Sequence, residues 1–320
     1  MNLSIKRTKK ENFQSSVSIM KYIKHIIIAL SLLILPTLQA QDEYSSAGAF
    51  LNLGAGARAL AMGSAYTSIA TGPEATYWNP AGLSQIQRIE FTAMYSHLAF
   101  DQMYNFVSAA LPVKSIGIIG VSWIGHSVSK IEARTTNSIE PDRLFGDSQN
   151  AFLLSIGRKF VDFFSVGINL KMLHHSMDHY KGSGLGIDAG FLYAPGNKRL
   201  KLGFVFQNIQ TRLKWEQGNQ EIFPLLFRMG ISCQIIDNLL ISADITQKQK
   251  KTIDPRIGVE YRVMGFFPLR VGLDNMHPSM GLGLKIYAEK VNTTFDYSLT
   301  KNPLDLSTMH RLSISLEMNR

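Results

Sequence analysis

The sequence predicts an all-β protein, a 14-stranded antiparallel transmembrane β-barrel with an N-terminal luminal plug segment. Three observations carry this. Beyond residue 85 the apolar residues recur with period two in strand after strand. The connections between those strands alternate between tight and mostly longer, more polar ones. A leader that directs export precedes the whole pattern.

The leader spans residues 1–40. From Met20, read as the true start, the chain runs MKYIKHIIIALSLLILPTLQA: Lys21 and Lys24, an apolar run from Ile26 to Leu35, then Pro36 and a small residue at Ala40. That is the order of a signal peptide, and the run is about half of the ~20 residues a spanning helix needs. No cysteine follows the cleavage site, which excludes lipoprotein processing. The formal charge of +9 comes largely from the leader, since residues 41–320 hold 27 basic against 23 acidic side chains. Such a balance is no nucleic-acid footprint. Mean hydropathy near zero excludes a bundle of membrane helices, and a single cysteine, Cys233, excludes disulfides and cysteine-based metal sites.

Residues 41–87 form the expected plug or hatch. SAGAFLNLGAGARALAMGSAYTSIATGPEATYWNPAGLS is rich in small residues, low in charge and without period two; a short helix is expected within GARALAMGSAYTSIA. Small side chains let a segment pack in a confined space. Asn79-Pro80 followed by Ala81-Gly82 is turn chemistry, a rigid corner that hands the chain to the first strand.

Residues 88–320 supply the barrel. Candidate strands fall near 88–98, 103–113, 115–126, 150–159, 163–174, 184–194, 199–208, 226–236, 238–247, 256–263, 267–274, 279–288, 290–300 and 309–318. The tight connections are PVKS, RKFVD, APGNK, IIDN, VMGFFP and AEK. The longer ones are 127–149, 175–183, 209–225, TQKQKKTIDP and TKNPLDLSTM, with short exceptions near Asp101 and at NMHPS. RIGVEYRV shows the alternation: Ile257, Val259, Tyr261 and Val263 on one face, Arg256, Gly258, Glu260 and Arg262 on the other. Alternation alone cannot say which face is inside, because a soluble sandwich turns its apolar face inward and a membrane barrel turns it outward. Export, unbroken alternation and a second face carrying Asp188, Arg228, Asp244, Glu260, Arg270, Asp274, Lys285 and Asp296 favour the barrel.

Candidate chemistry is sparse. Gly54, Gly56 and Ala59 match a dinucleotide pattern, but the strand–turn–helix context is missing and no cofactor is expected. His174, His175, Asp178 and His179 are metal-ligand types. Adjacent strand residues point to opposite faces, so they read as solvated loop residues and no metal is expected. No Gly-x-Ser-x-Gly elbow occurs, and the expectation is a non-enzyme. Arg270 and Asp274 are expected in a luminal charge network. Lys248, Lys250 and Lys251 read as a solvated extracellular loop. Trp215, Tyr193, Phe266, Phe267 and Tyr287 read as interfacial girdles.

FLNLGAGARALAMGSAYTSIA…EATYWNPAGLS, followed by strands and the closing FDYSL…MHRLSISLEM, resembles the PorV/PorQ family of Bacteroidetes, outer-membrane barrels similar to the FadL long-chain fatty acid transporters. The motif residues are Gly56, Arg58, Met62 and Gly63, then Trp78, Asn79, Pro80 and Gly82; the chain departs in ending EMNR, without a terminal aromatic. The resemblance implies an outer-membrane protein in contact with its lipid. It also implies a role in type IX secretion, binding secreted cargo with C-terminal signal domains and working with a translocon barrel. Loop length places that binding at 127–149 and 209–225. The alternative is a FadL-like transporter that takes a hydrophobic ligand, the plug serving as a hatch. A soluble secreted β-protein is the third reading.

Overall fold

A computed structural model describes residues 47–137, 139–196, 199–248, 253–301 and 308–319; the signal-peptide reading lies outside them, as do Lys250 and Lys251. The strands are β1 (Glu90–Leu98), β2 (Gln102–Val113), β3 (Gly117–Ala133), β4 (Arg143–Val161), β5 (Phe164–Met177), β6 (Tyr180–Tyr193), β7 (Leu200–Trp215), β8 (Gln220–Ile222), β9 (Leu226–Ile236), β10 (Leu239–Lys248), β11 (Ile253–Val263), β12 (Phe267–Asp274), β13 (His277–Ile286), β14 (Val291–Lys301) and β15 (Thr308–Met318). Each pairs antiparallel with its neighbour in sequence, except that the three-residue β8 bonds only to β7, which goes on to pair with β9. β1 pairs with β15 from Glu90↔Glu317 to His97↔His310 and closes a wall of 14 strands. A closed wall has no edge, so every ladder group is satisfied without water.

The alternation has the sense of a membrane barrel. On β4 and β5, Phe152, Leu154, Ile156, Ile168, Leu170 and Met172 point out and are exposed, while Ser155, Asn169 and Lys171 between them are buried inward. On β11 and β12, Ile257, Tyr261, Leu269 and Val271 point out; Arg256, Glu260 and Arg270 are buried inside. In water each large outward side chain would forgo roughly 1.5–3 kcal/mol of burial. In lipid that surface is in its proper solvent. The chain is an outer-membrane barrel, and the soluble reading is set aside by this outward apolar face.

The wall is uneven in height. β4 has 19 residues and β12 has 8, about 63 Å and about 26 Å along the strand at ~3.3 Å per residue. This corrects the loop reading of 127–149 and 209–225. Most of 127–149 is the prolonged hairpin of β3 and β4, and most of 209–225 is the end of β7 with β8 folded against it. The 175–183 connection is likewise a tight turn between β5 and β6. Beyond the apolar band both strand faces meet water, so the pairing continues without the alternation that would mark it.

Of the expected segment, residues 47–86 are described, and they pack against the inner wall. A 3₁₀ turn (Ala49–Asn52), a helix (Ala57–Ala61), a second helical turn (Ala75–Trp78) and a 3₁₀ stretch (Pro80–Gln85) precede β1. Its backbone is held from opposite walls of the cylinder. Ala57 N–H donates to Ser313 Oγ on β15 at 2.8 Å, while Gln207 Nε2 on β7 donates to Tyr77 O at 2.7 Å. Ser242 Oγ on β10 donates to Ala65 O at 2.8 Å, and Asn169 Nδ2 on β5 to Thr76 O at 2.7 Å. Only a segment within the lumen can meet all four.

Candidate functional site

The eight motif residues all sit in the lumen, in two groups joined by an aromatic bridge. In the first, Gly56 has φ 81°, which frees the backbone to turn into the helix Ala57–Ala61. Arg58 projects from that helix to the barrel wall. Its Nε and Nη2 donate to Glu260 at 2.8 and 3.1 Å, and its Nη1 donates to Tyr66 Oη at 3.2 Å. Met62 is fully buried. Gly63, at φ 61°, lies so close to the wall that a side chain there would meet Leu273 backbone at 2.5 Å; at the facing Gly272 a Cβ would meet Gly63 N at 2.2 Å.

The second group is the corner. Trp78 is buried, its Nε1 donating to Ala55 O at 2.6 Å. Tyr77 Oη donates to Leu51 O and accepts from Gly54 N at 3.1 Å. Asn79 caps the 3₁₀ stretch through Ala81 N–H to Oδ1 at 3.1 Å, and its Nδ2 donates to Thr67 O at 2.9 Å and Phe191 O on β6 at 3.1 Å. Pro80 follows as first residue of that stretch, where its missing N–H costs nothing. A Cβ at Gly190 would meet Asn79 Oδ1 at 2.2 Å, and one at Gly82 would meet Ala70 O at 2.2 Å. Tyr66 joins the groups: its ring lies 5.9 Å edge-on from Trp78 and carries the Arg58 guanidinium at 5.6 Å.

Glu260 is the hub of a buried ion network. Besides Arg58 it accepts from Arg270 Nε at 2.7 Å and Arg262 Nε at 3.2 Å, and Arg270 Nη1 reaches Asp296 at 2.6 Å. Arg270 and Asp274 do not pair with each other; Asp274 pairs with Arg256 at 2.6 Å. Opposite, Lys171 meets Asp188 at 2.9 Å and Asn208 at 2.8 Å. Here β7 carries two residues more than β6 between Leu185↔Arg212 and Ala189↔Phe206, with Asn208 and Gln210 at φ 62° and 48°. Arg228 lies 4.9 Å over Trp78, buried, where ring faces replace water. On the segment itself, burial pushes the Glu74 carboxyl up to about 7, with Asp296 adding to the rise and Arg58 opposing it.

Among the spaces beside the segment, one of about 10 Å³, room for a single water, is lined by Tyr77, Ile124, Leu153, Lys171, Asp188 and Asn208 among others. Another, of about 180 Å³, lies at the end with the tight turns, beside Arg58, Gln85, Lys201 and Arg262.

The histidines do not converge. His175 pairs with Asp147 at 2.6 Å and packs on Trp215 at 4.7 Å, His179 bonds Asp178, and His174 occupies the alternate strand face. Among the described residues no three His, Cys, Asp or Glu side chains are placed to share an ion. Trp215 is corrected from the girdle, since it packs inward and its Nε1 donates to Glu221 at 2.9 Å. Tyr193, Phe266 and Tyr287 are exposed near the tight-turn end, whereas Phe267 is half-buried. Lys248 is buried rather than solvated.

Sequence reasoning placed glycines on the inner face but not what they approach. Gly157, Gly167, Gly190 and Gly203 on β4 to β7, and Gly258 and Gly272 on β11 and β12, lie where the segment touches the wall. Their repeated occurrence at inward positions was the available signal.

Fold and lumen together define a class, closed antiparallel outer-membrane barrels, here with residues 47–86 packed against the inner wall. No protein-family model matches the chain, and no curated protein matches it. Several solved structures share its fold at low sequence identity. The Pseudomonas putida toluene transporter TodX is similar at TM-score 0.61 and 13% identity, over 83% of this chain and 98% of that one. The CymD monoaromatic hydrocarbon channel is similar at TM-score 0.56 and 13% identity, over 83% and 97%. A Pseudomonas aeruginosa FadL homologue is similar at TM-score 0.56 and 11% identity, over 82% and 98%. The shared property is the fold.

Proposed function

We propose that this protein is an outer-membrane channel for hydrophobic small molecules in which the luminal segment is a movable hatch. The filled lumen within a FadL-type barrel carries the reading, together with the hydrocarbon transport named for two structural neighbours. The spaces are small, one beside Tyr77 and the other beside Arg58, so passage requires the segment to shift. Its attachments suit such motion, being hydrogen bonds and ion pairs to the wall rather than shared strands. Cysteines at Ala57 and Ser313, which touch through Ala57 N and Ser313 Oγ, in a Cys233→Ser background, would lock it. Oxidised protein in liposomes should lose uptake of a monoaromatic solute and regain it on reduction. Equal uptake in both states would refute the hatch.

Binding of exported cargo in type IX secretion is the second reading, favoured by one observation. Both spaces carry charged linings where a transporter needs an apolar pocket with few polar anchors. The tall β3–β4 and β7–β8 walls would then be the docking face. A pull-down from native outer membranes separates the two. Proteins sharing a C-terminal signal domain, or a translocon barrel, support cargo binding; an apolar ligand alone supports the channel.

A further inference from the structure

The larger space is strongly basic. Arg58, Arg199, Lys201 and Arg262 line it with Gln85 and Ser232, and no carboxylate lies among the lining residues. Glu260, buried on the inner face of β11, offsets Arg58 and Arg262. Asp237, on the rim, stands 3.4 Å from Arg199. Lys201 donates to Gln85 at 2.7 Å. The lining thus carries four cations, from Arg58, 21% exposed, to Arg262 and Arg199, 40% and 52% exposed, in a recess half open to water. These cations come from the turn before β7 (Arg199), from β7 (Lys201), from β11 (Arg262) and from the luminal helix (Arg58), so the cluster is convergent rather than a run of solvated lysines.

We propose that this recess binds an oxyanion of the phosphate class, entering from the end of the barrel that bears the tight turns. The guanidinium forks of Arg199 and Arg262 fit phosphate oxygens in pairs, Lys201 adds a point charge, and Ser232 and Gln85 supply neutral hydrogen-bonding groups. The site is distinct from the passage of apolar solutes and does not depend on which reading of the lumen holds. The phosphate could belong to a soluble anion or to an anionic lipid headgroup at the mouth.

The test is calorimetric titration of the full-length protein in neutral detergent with inorganic phosphate at low ionic strength. Saturable binding is expected, weakened at least about tenfold in Arg199→Gln/Lys201→Gln and retained in Lys201→Arg. Arg262→Gln, one substitution on a different strand, provides a second variant should the double one fail to fold, judged by heat-modifiable gel mobility. The same titration in nanodiscs containing phosphatidylglycerol distinguishes the sources: competition by that lipid assigns a headgroup, undiminished phosphate binding assigns a soluble anion. No saturable binding to the wild type, or binding equally strong in the variants, overturns the proposal.

Discussion

Replacing Glu260 by Gln tests what holds the luminal segment in place. The substitution keeps the side-chain shape and removes one charge from a carboxylate that is only 2% exposed. Arg270 keeps Asp296 at 2.6 Å. Arg58 loses its carboxylate partner and retains the neutral Tyr66 hydroxyl. Breaking a buried pair by removing one partner costs about 3–5 kcal/mol. Arg58 is 21% exposed, which places the loss near the lower end, about 3 kcal/mol. At 1.4 kcal/mol per factor of ten, that raises the population of undocked segment on the order of a hundredfold. Hydrogen exchange in detergent should show that acceleration at the amides of Leu60, Met62 and Gly63, which bond within the segment, while the β-ladder amides stay protected. Adding Arg58→Met should restore much of the protection by removing the orphaned charge. Acceleration under about fivefold, or a uniform rise through the barrel, would refute the hub.

Three further outcomes follow from the same geometry. Gly272→Ala places a methyl against Gly63 backbone and should cost about 1–3 kcal/mol by overpacking in a denaturant titration, whereas Gly146→Ala, with one carbonyl at 3.4 Å, should be near neutral. Val271→Arg, mid-strand on the lipid face of the short β12, should cost about 2–4 kcal/mol in urea titration from lipid vesicles. Because the docked Glu74 carboxyl is raised from 4.5 to about 7, the docked segment binds the proton more tightly than the undocked one. The segment should therefore be firmest below about pH 4.5 and loosen by on the order of 3 kcal/mol as pH rises to about 7. Hydrogen exchange against pH should show that slope in wild type and a flatter one in Glu74→Gln, despite the neighbouring Glu90, Arg58 and Asp296.

The barrel was legible where lipid imposes alternation. β9 and β12 fall at 226–236 and 267–274, as their period predicts. The upper part of β4 was illegible, because RLFGDSQN meets water on both sides and no solvent difference marks its faces. The luminal position of the small-residue segment was readable from composition, but its anchors were not. Arg58 and Glu260 stand 202 residues apart, and nothing local in either stretch names the other. Arg270 had several carboxylates within strand reach, and only the register of β11 and β12, which sets Glu260 opposite it, decides between them.

The bond from Ala57 to Ser313 spans 256 residues of chain, and this has a consequence for assembly. A segment that precedes β1 in the chain binds β15 directly, just inside the seam where β1 meets β15. Joining such distant strands is entropically costly, and a collapsed core already gripping β15 shortens that search. The luminal segment is thus also a mandrel, around which the sheet is rolled and against which its final seam is aligned.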